Sequence, residues 1–186
     1  MSEIKSLTGN IIVSQPRSDD PYFTKGVILV AKHSPNGSWG LMVNKPAANL
    51  TLGTIMQAVG IDSRKRDKVF VGGPVDTHRV FIIHTLDWQS SNTIKITPDI
   101  GITNEMSILA AISKDEGPGL YRTCIGSCGW APNQLDGEFR GDPPWKPQNR
   151  WLDAPATIES IFNLVEDDQW NRSIELVAQN KISNWL

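Results

Sequence analysis

Short runs of apolar, often β-branched residues recur along this chain at residues 10–13, 25–31, 39–43, 68–71, 79–85, 93–96 and 121–128. Runs of that length and make-up predict strands. Gly26-Val27-Ile28-Leu29-Val30-Ala31 is apolar at successive positions, so both of its faces are expected to be covered, as in a central strand. The link at 32–38 contains Pro35-Asn36-Gly37, a strong turn signal, and predicts a hairpin between the runs it joins.

Helical spacing lies between these runs. Leu52, Ile55, Met56 and Val59 follow an i, i+3, i+4, i+7 stripe, with Thr51 as N-cap and Gly60 as the stop. A second helix is expected to begin after Asn104 and run to about Ser113, ahead of Gly117-Pro118-Gly119. Ile158, Ile161, Phe162 and Val165 predict a third, and Asp168 is placed as the cap of a last helix carrying Trp170, Ile174 and Val177. Glu166-Asp167-Asp168 reads as favourable charge at that helix's N-terminus rather than as a metal site. Strands alternating irregularly with helices, together with a hairpin, argue against a doubly wound parallel sheet. The expectation is an α/β fold of α+β-like character, with a mixed sheet, antiparallel hairpins and flanking helices. One domain over residues 1–186 suits the length, with a proline-rich excursion at 141–150 and two C-terminal helices too small to form their own core.

Composition narrows the function classes. A 39% hydrophobic fraction, 20% charged residues and a net charge of −2 offer no field that would draw the chain to nucleic acid or anionic lipid. The one basic cluster, Arg64-Lys65-Arg66, runs straight into Asp67 within a polar stretch and reads as a solvated loop. Neither a signal-peptide core in residues 1–10 nor a long membrane-spanning run is present, so a cytoplasmic location is expected. Cys124 and Cys128 fall in one strand-like run. Regular alternation would put them on one face roughly 13 Å apart, too far for a disulfide or a shared metal. Two reduced, buried thiols are expected.

Gly129-Trp130-Ala131-Pro132-Asn133-Gln134-Leu135-Asp136-Gly137-Glu138 concentrates the candidate chemistry. A glycine turn feeding a helix, with Pro132 in its first turn, offers free backbone N–H groups and a positive dipole end to an anion. Trp130 would wall such a site, and Gln134 and Glu138, one turn apart, would point into it. The competing reading has Trp130 plugging the core and Gln134 satisfying buried backbone groups. Gly72-Gly73-Pro74 permits close backbone approach, to a ligand or to another strand. It matches neither a P-loop nor a dinucleotide fingerprint, and no cofactor is expected. Asn44, at a strand exit, would orient a ligand or tie down its turn. His84 is a candidate general base by position and a satisfied structural histidine by frequency. His33, His78 and His84 lack zinc-site spacing, no serine-nucleophile elbow occurs, and Cys128 reads as buried and inert.

Taken together, Gly40-Leu41-Met42-Val43-Asn44-Lys45-Pro46, Gly72-Gly73-Pro74-Val75, Arg79 with His84, Gly126, Gly129-Trp130, and Gln134-Leu135 with Glu138 resemble the YqgE/AlgH family. The likeness begins near Ser6-Leu7, runs through Asp20-Pro21-Tyr22-Phe23, His33 and Gly37, and spans most of residues 6–140. Three departures stand out: Asn133 where the family has glycine, a longer link to Trp151-Leu152, and an ending at Ile182-Ser183-Asn184-Trp185-Leu186. The resemblance implies a single α/β domain, a bacterial and cytosolic setting, and a transcriptional-regulator label. No helix-turn-helix or basic recognition helix supports that label.

Three functions follow as expectations. The first is a non-enzymatic regulatory or interaction protein that meets a protein partner or a small anionic ligand, with candidate ligand residues Asn44, Gly72, Gly73, His84, Trp130, Gln134 and Glu138. The second is a hydrolase-like enzyme, which requires those side chains to converge within about 8 Å. Direct DNA binding is the third and least supported, and no membrane contact is expected.

Overall fold

The computed structural model describes residues 5–18, 20–145, 150–164 and 166–185. Val165, the side chains of Glu166 and Asp167, and residues 146–149 of the excursion lie outside the described residues.

The strands are β1 (Asn10–Ser14), β2 (Val27–Ser34), β3 (Gly37–Met42), β4 (Pro46–Thr51), β5 (Lys68–Val71), β6 (Val75–Thr85), β7 (Ile94–Lys95), β8 (Ile100–Thr103), β9 (Tyr121–Trp130) and β10 (Trp151–Pro155). The helices are α1 (Leu52–Ala58), α2 (Met106–Ser113), α3 (Gln134–Arg140) and α4 (Glu166–Ser183). The strands run in the order β10-β1-β2-β3-β9-β6-β8-β7, with β5 beside β9 and β4 beside β5. Among the described residues only β5 and β9 pair in parallel, so this is the expected α/β domain built on a mixed, mostly antiparallel sheet. The predicted hairpin forms with Pro35 and Asn36 at its tip, since Ser34 pairs with Gly37.

The sheet curls so that β1, one strand in from the β10 edge, comes back towards the β7 edge. A Cβ on Gly9, just before β1, would lie 3.2 Å from the carbonyl oxygen of Ile96, just after β7. The sheet is thus rolled into an open barrel. Its inner face is one continuous cluster drawn from Ile11, Leu29, Leu41, Phe81, Ile102 and Cys124, closed by Ile161 and Val177. The outer face is divided between two layers. Leu135 of α3 packs with Ile12, Ile28, Met42 and Trp151, while α1 and α2 cover Val69 and Ile82 with Leu52, Met56, Ile108 and Leu109.

The close approach at Gly72-Gly73 is made to another strand. A Cβ on Gly72 would sit 2.2 Å from the Gly126 carbonyl oxygen, and one on Gly73 2.2 Å from the Ser127 backbone. Gly126 itself has φ +77°, a left-handed step that breaks the alternation of β9. That step corrects the expectation of a shared face for the cysteines. Cys124 packs in the inner cluster and Cys128 in the outer one. Both are free and buried, and burial pushes each thiol up to about 12, so neither offers a thiolate nucleophile at neutral pH.

Two boundaries near the C-terminus also differ from expectation. The stripe at Ile158, Ile161 and Phe162 forms a single π-helical turn, Glu159–Asn163. Thr157 and Ser160 open it with reciprocal bonds, each backbone N–H donating to the other's hydroxyl (2.9 and 3.1 Å). Leu164 then turns extended (φ −100°, ψ 149°) and presents its carbonyl to Arg122 (3.1 Å), which ends the turn. The last helix starts at Glu166, so Asp168 lies within its first turn instead of capping it. No helix among the described residues is long and apolar enough to cross a membrane.

Candidate functional site

The loop from β9 into α3 gathers three of the seven candidate residues. Pro132 lies in the turn ahead of α3, and Asn133, where the family pattern has glycine, adopts the left-handed conformation (φ 61°), which asparagine tolerates better than most residues. Glu138, buried on α3, accepts hydrogen bonds from Trp130 Nε1 (3.2 Å) and Trp151 Nε1 (2.7 Å) on one carboxylate oxygen. Its other oxygen accepts from Gln134 Nε2 (2.9 Å). The Gln134 carbonyl in turn accepts from the Ala131 backbone (3.0 Å). Trp130 and Trp151 meet edge to face at 6.5 Å inside the outer layer. The carboxylate therefore spends its charge on donors of its own fold.

Beside this network sits a pair that the sequence did not single out. His33 and Asp136 have side chains only 5% and 9% exposed, with Nε2 of His33 3.2 Å from Oδ1 of Asp136, off the line of a good hydrogen bond. His33 Nδ1 accepts from the Leu7 backbone (3.0 Å). That bond places the ring proton on Nε2, facing Asp136.

The remaining candidates lie elsewhere. Asn44 accepts from the Val27 backbone (2.8 Å) and donates to the Lys25 carbonyl (2.7 Å), clamping the entry to β2. Gly72 and Gly73 face β9, as described above. His84 is fully buried, with Nδ1 2.9 Å from the Thr85 carbonyl and Nε2 2.9 Å from Thr103 Oγ1. A carbonyl only accepts, so Nδ1 donates and Nε2 accepts from the hydroxyl. Thr103 Oγ1 continues the chain to Thr93 Oγ1 (2.9 Å). His84 pairs with Tyr121 at the start of β9, whereas Trp130 closes that strand, roughly 25–30 Å away. The seven residues thus fall in separate places, short of the convergence that a common active site requires.

Burial is the largest influence on His84 and lowers its pKa, opposed by its Thr85 bond and by Asp87. The unfolded chain takes up a proton near pH 6.5 that the native histidine resists. His84 should therefore contribute stability in full above that pH and lose it as the pH falls below, towards the lower native value. Denaturation midpoints measured between pH 7.5 and 5 should fall more steeply for the wild type than for His84→Gln; parallel curves would refute this assignment.

An open groove of about 630 Å³ lies between α1, β6 and α2. Ile55 and Val59 form one wall, Met106 and Leu109 the other, and Val80 and Ile82 the floor, with Asp76, His78, Arg79 and Glu105 at the rim. Val59 is 43% and Met106 50% exposed. The rim exists because β6 bulges: Val75 pairs with Ser127 and Val80 with Ile125, so residues 76–79 stand opposite Gly126 alone. Asp76 and Arg79 approach to 3.9 Å in the open, a contact worth little in water. Among the described residues no group of three or more His, Cys, Asp or Glu side chains could hold a metal ion.

A rolled, mostly antiparallel sheet, three helices on its outer face and a fourth closing its core define a class of α/β domain rather than a chemistry. The AlgH-like family model matches residues 11–181, and the chain belongs to that family. The UPF0301 protein of Laribacter hongkongensis is 33% identical over 178 residues, covering 92% of this chain and 90% of that one. A UPF0301 protein of Ruegeria pomeroyi is also 33% identical, over 92% of each chain. In fold, the chain is similar to the AlgH protein of Pseudomonas aeruginosa solved in solution, with a TM-score of 0.77, 24% identity and coverage of 95% and 92%. A crystal structure of a Corynebacterium diphtheriae protein aligns with a TM-score of 0.70 at 19% identity, over 88% of this chain and 83% of that one.

Proposed function

We propose that this AlgH-like protein acts by binding rather than by catalysis, and that its contact surface is the groove between α1, β6 and α2. One contrast carries this reading. Asn44, His84, Gln134 and Glu138 commit their polar atoms to partners within the fold, while the groove presents half-exposed Val59 and Met106 beside exposed His78 and Arg79. Concave surfaces with apolar walls and a few polar groups are the usual form of a binding site. Regulation, on this reading, works through a bound partner or small ligand. Asp76 and Glu105 at the rim disfavour a nucleic-acid backbone.

A thermal-shift screen against nucleotides, sugar phosphates, small carboxylates and metal ions tests the proposal, run in parallel on Met106→Glu and Gln134→Ala. A ligand at a hundred times its dissociation constant should add about 2.7 kcal/mol to the wild type. The expected result is a shift lost in Met106→Glu and retained in Gln134→Ala. A shift lost only in Gln134→Ala would move the site to α3 and reject the groove.

A further inference from the structure

The end of α4 carries apolar surface with no seat on its own molecule. Ile182 is 63% exposed and Trp185 89%. The turn that holds them is ordered by hydrogen bonds from Asn184 N to the Asn180 carbonyl (3.2 Å) and from Trp185 N to the Ile182 carbonyl (3.0 Å). A three-residue separation on a helical turn puts both side chains on one face. Contiguous exposed apolar side chains, one of them tryptophan, mark contact surfaces more often than solvent-facing ones.

We infer that this face of α4 docks into the α1–β6–α2 groove of a second copy of the chain, and that the exchange is reciprocal. The inference rests on the reading of the groove as the contact surface and names its occupant. Three observations favour a second copy. First, α4 is continuous to Ser183 and packs on β10, β1 and β2, so its end cannot fold back to a groove built on β6, α1 and α2. Second, the two surfaces match in kind: Ile182 and Trp185 are bare apolar groups, and the groove offers Val59, Val80, Met106 and Leu109. Third, the charges complement each other. Lys181, next to Ile182, is exposed and has no ion pair among the described residues, and at the groove rim Glu105 has none either, whereas Asp76 stands beside Arg79.

Reciprocal docking gives a closed two-fold dimer in which each tail fills the other's groove. Two tails burying a tryptophan and an isoleucine apiece, with the matching groove surface, remove roughly 1,000 Å² from water, the low end for a specific contact. The dimer is therefore expected to be weak and concentration-dependent.

Sedimentation velocity on the full chain, from about 1 to about 500 µM, reads this directly. The wild type should pass from monomer to dimer across that range. Trp185→Ser and Met106→Glu should each weaken association at least about tenfold. Trp185 is exposed on the turn that follows α4, and a glutamate at the first position of α2 suits a helix N-terminus, so both variants should fold. Mixing the two variants restores one tail and one groove, and should recover a dimer weaker than the wild type. A chain that stays monomeric throughout, or a dimer indifferent to both substitutions, would overturn the inference. If the chain is monomeric yet a compound shifts the wild type and not Met106→Glu, the groove reading stands and only its occupant is rejected.

Discussion

Glu138→Ala should lower the free energy of unfolding by about 3–5 kcal/mol, the cost of removing the charged acceptor from a buried network. Two indole N–H groups and one amide N–H lose their acceptor together. Water does not readily replace the carboxylate, because Trp130 and Trp151 are both buried in the outer layer. The loss also reaches beyond α3. Trp151 opens β10, and Trp130 closes β9, on opposite sides of β1, β2 and β3 in the sheet order. Glu138→Gln keeps the shape but turns an amide towards Gln134 Nε2, setting donor against donor, and should cost about half as much. Trp151→Phe removes one donor while keeping the ring, and should be coupled to Glu138→Ala by about 1–2 kcal/mol in a double-mutant cycle. Urea unfolding followed by circular dichroism measures all of these. A loss below about 1 kcal/mol for Glu138→Ala would mean that the carboxylate is not the keystone of this corner and remains available for other chemistry.

The elements legible in the sequence are those whose pattern is local. The apolar runs that became β2 and β9, the Pro35-Asn36-Gly37 hairpin and the α1 stripe all carry their signal within a dozen residues. β8 and β10 do not. β8 contains Gly101, whose missing side chain leaves room for Leu86 and Thr93. β10 includes Asp153 and ends on Pro155, which suits an edge strand and obscures the alternation. The candidate site divides in the same way. Trp130, Gln134 and Glu138 were visible as one block because they lie within a few residues of each other. Trp151, which makes the shortest bond to Glu138, and His33, which faces Asp136, come from distant strands and left no local mark. The groove is less legible still, since α1, β6 and α2 each contribute a few ordinary residues and no motif joins them.

Arg122→Ala is expected to cost about 3–5 kcal/mol as well, for a reason opposite in sign to Glu138. Arg122 is a buried cation on β9 with no carboxylate against it among the described residues. Burial lowers its pKa, yet a guanidinium stays charged in proteins. Its charge is spread over neutral acceptors: the carbonyls of Val43 (2.6 Å) and Leu164 (3.1 Å) and the side-chain oxygen of Gln169 (2.7 Å). The Phe70 ring lies 4.5 Å from the guanidinium carbon. These acceptors come from the end of β3, the segment before α4, and α4 itself, so one side chain ties the C-terminal segment to the barrel. Lysine brings a point charge where a planar fork is needed and should rescue little. Methionine fills the space without a buried charge and should lose less than alanine. Limited proteolysis supplies the decisive readout. Arg122→Ala should expose the segment between β10 and α4 to cleavage before the barrel unfolds, and by freeing α4 it should also weaken the concentration-dependent association carried by Ile182 and Trp185. If cleavage instead begins in the sheet, then Arg122 serves the barrel alone; association that survives with α4 cut away would overturn the docking of Ile182 and Trp185.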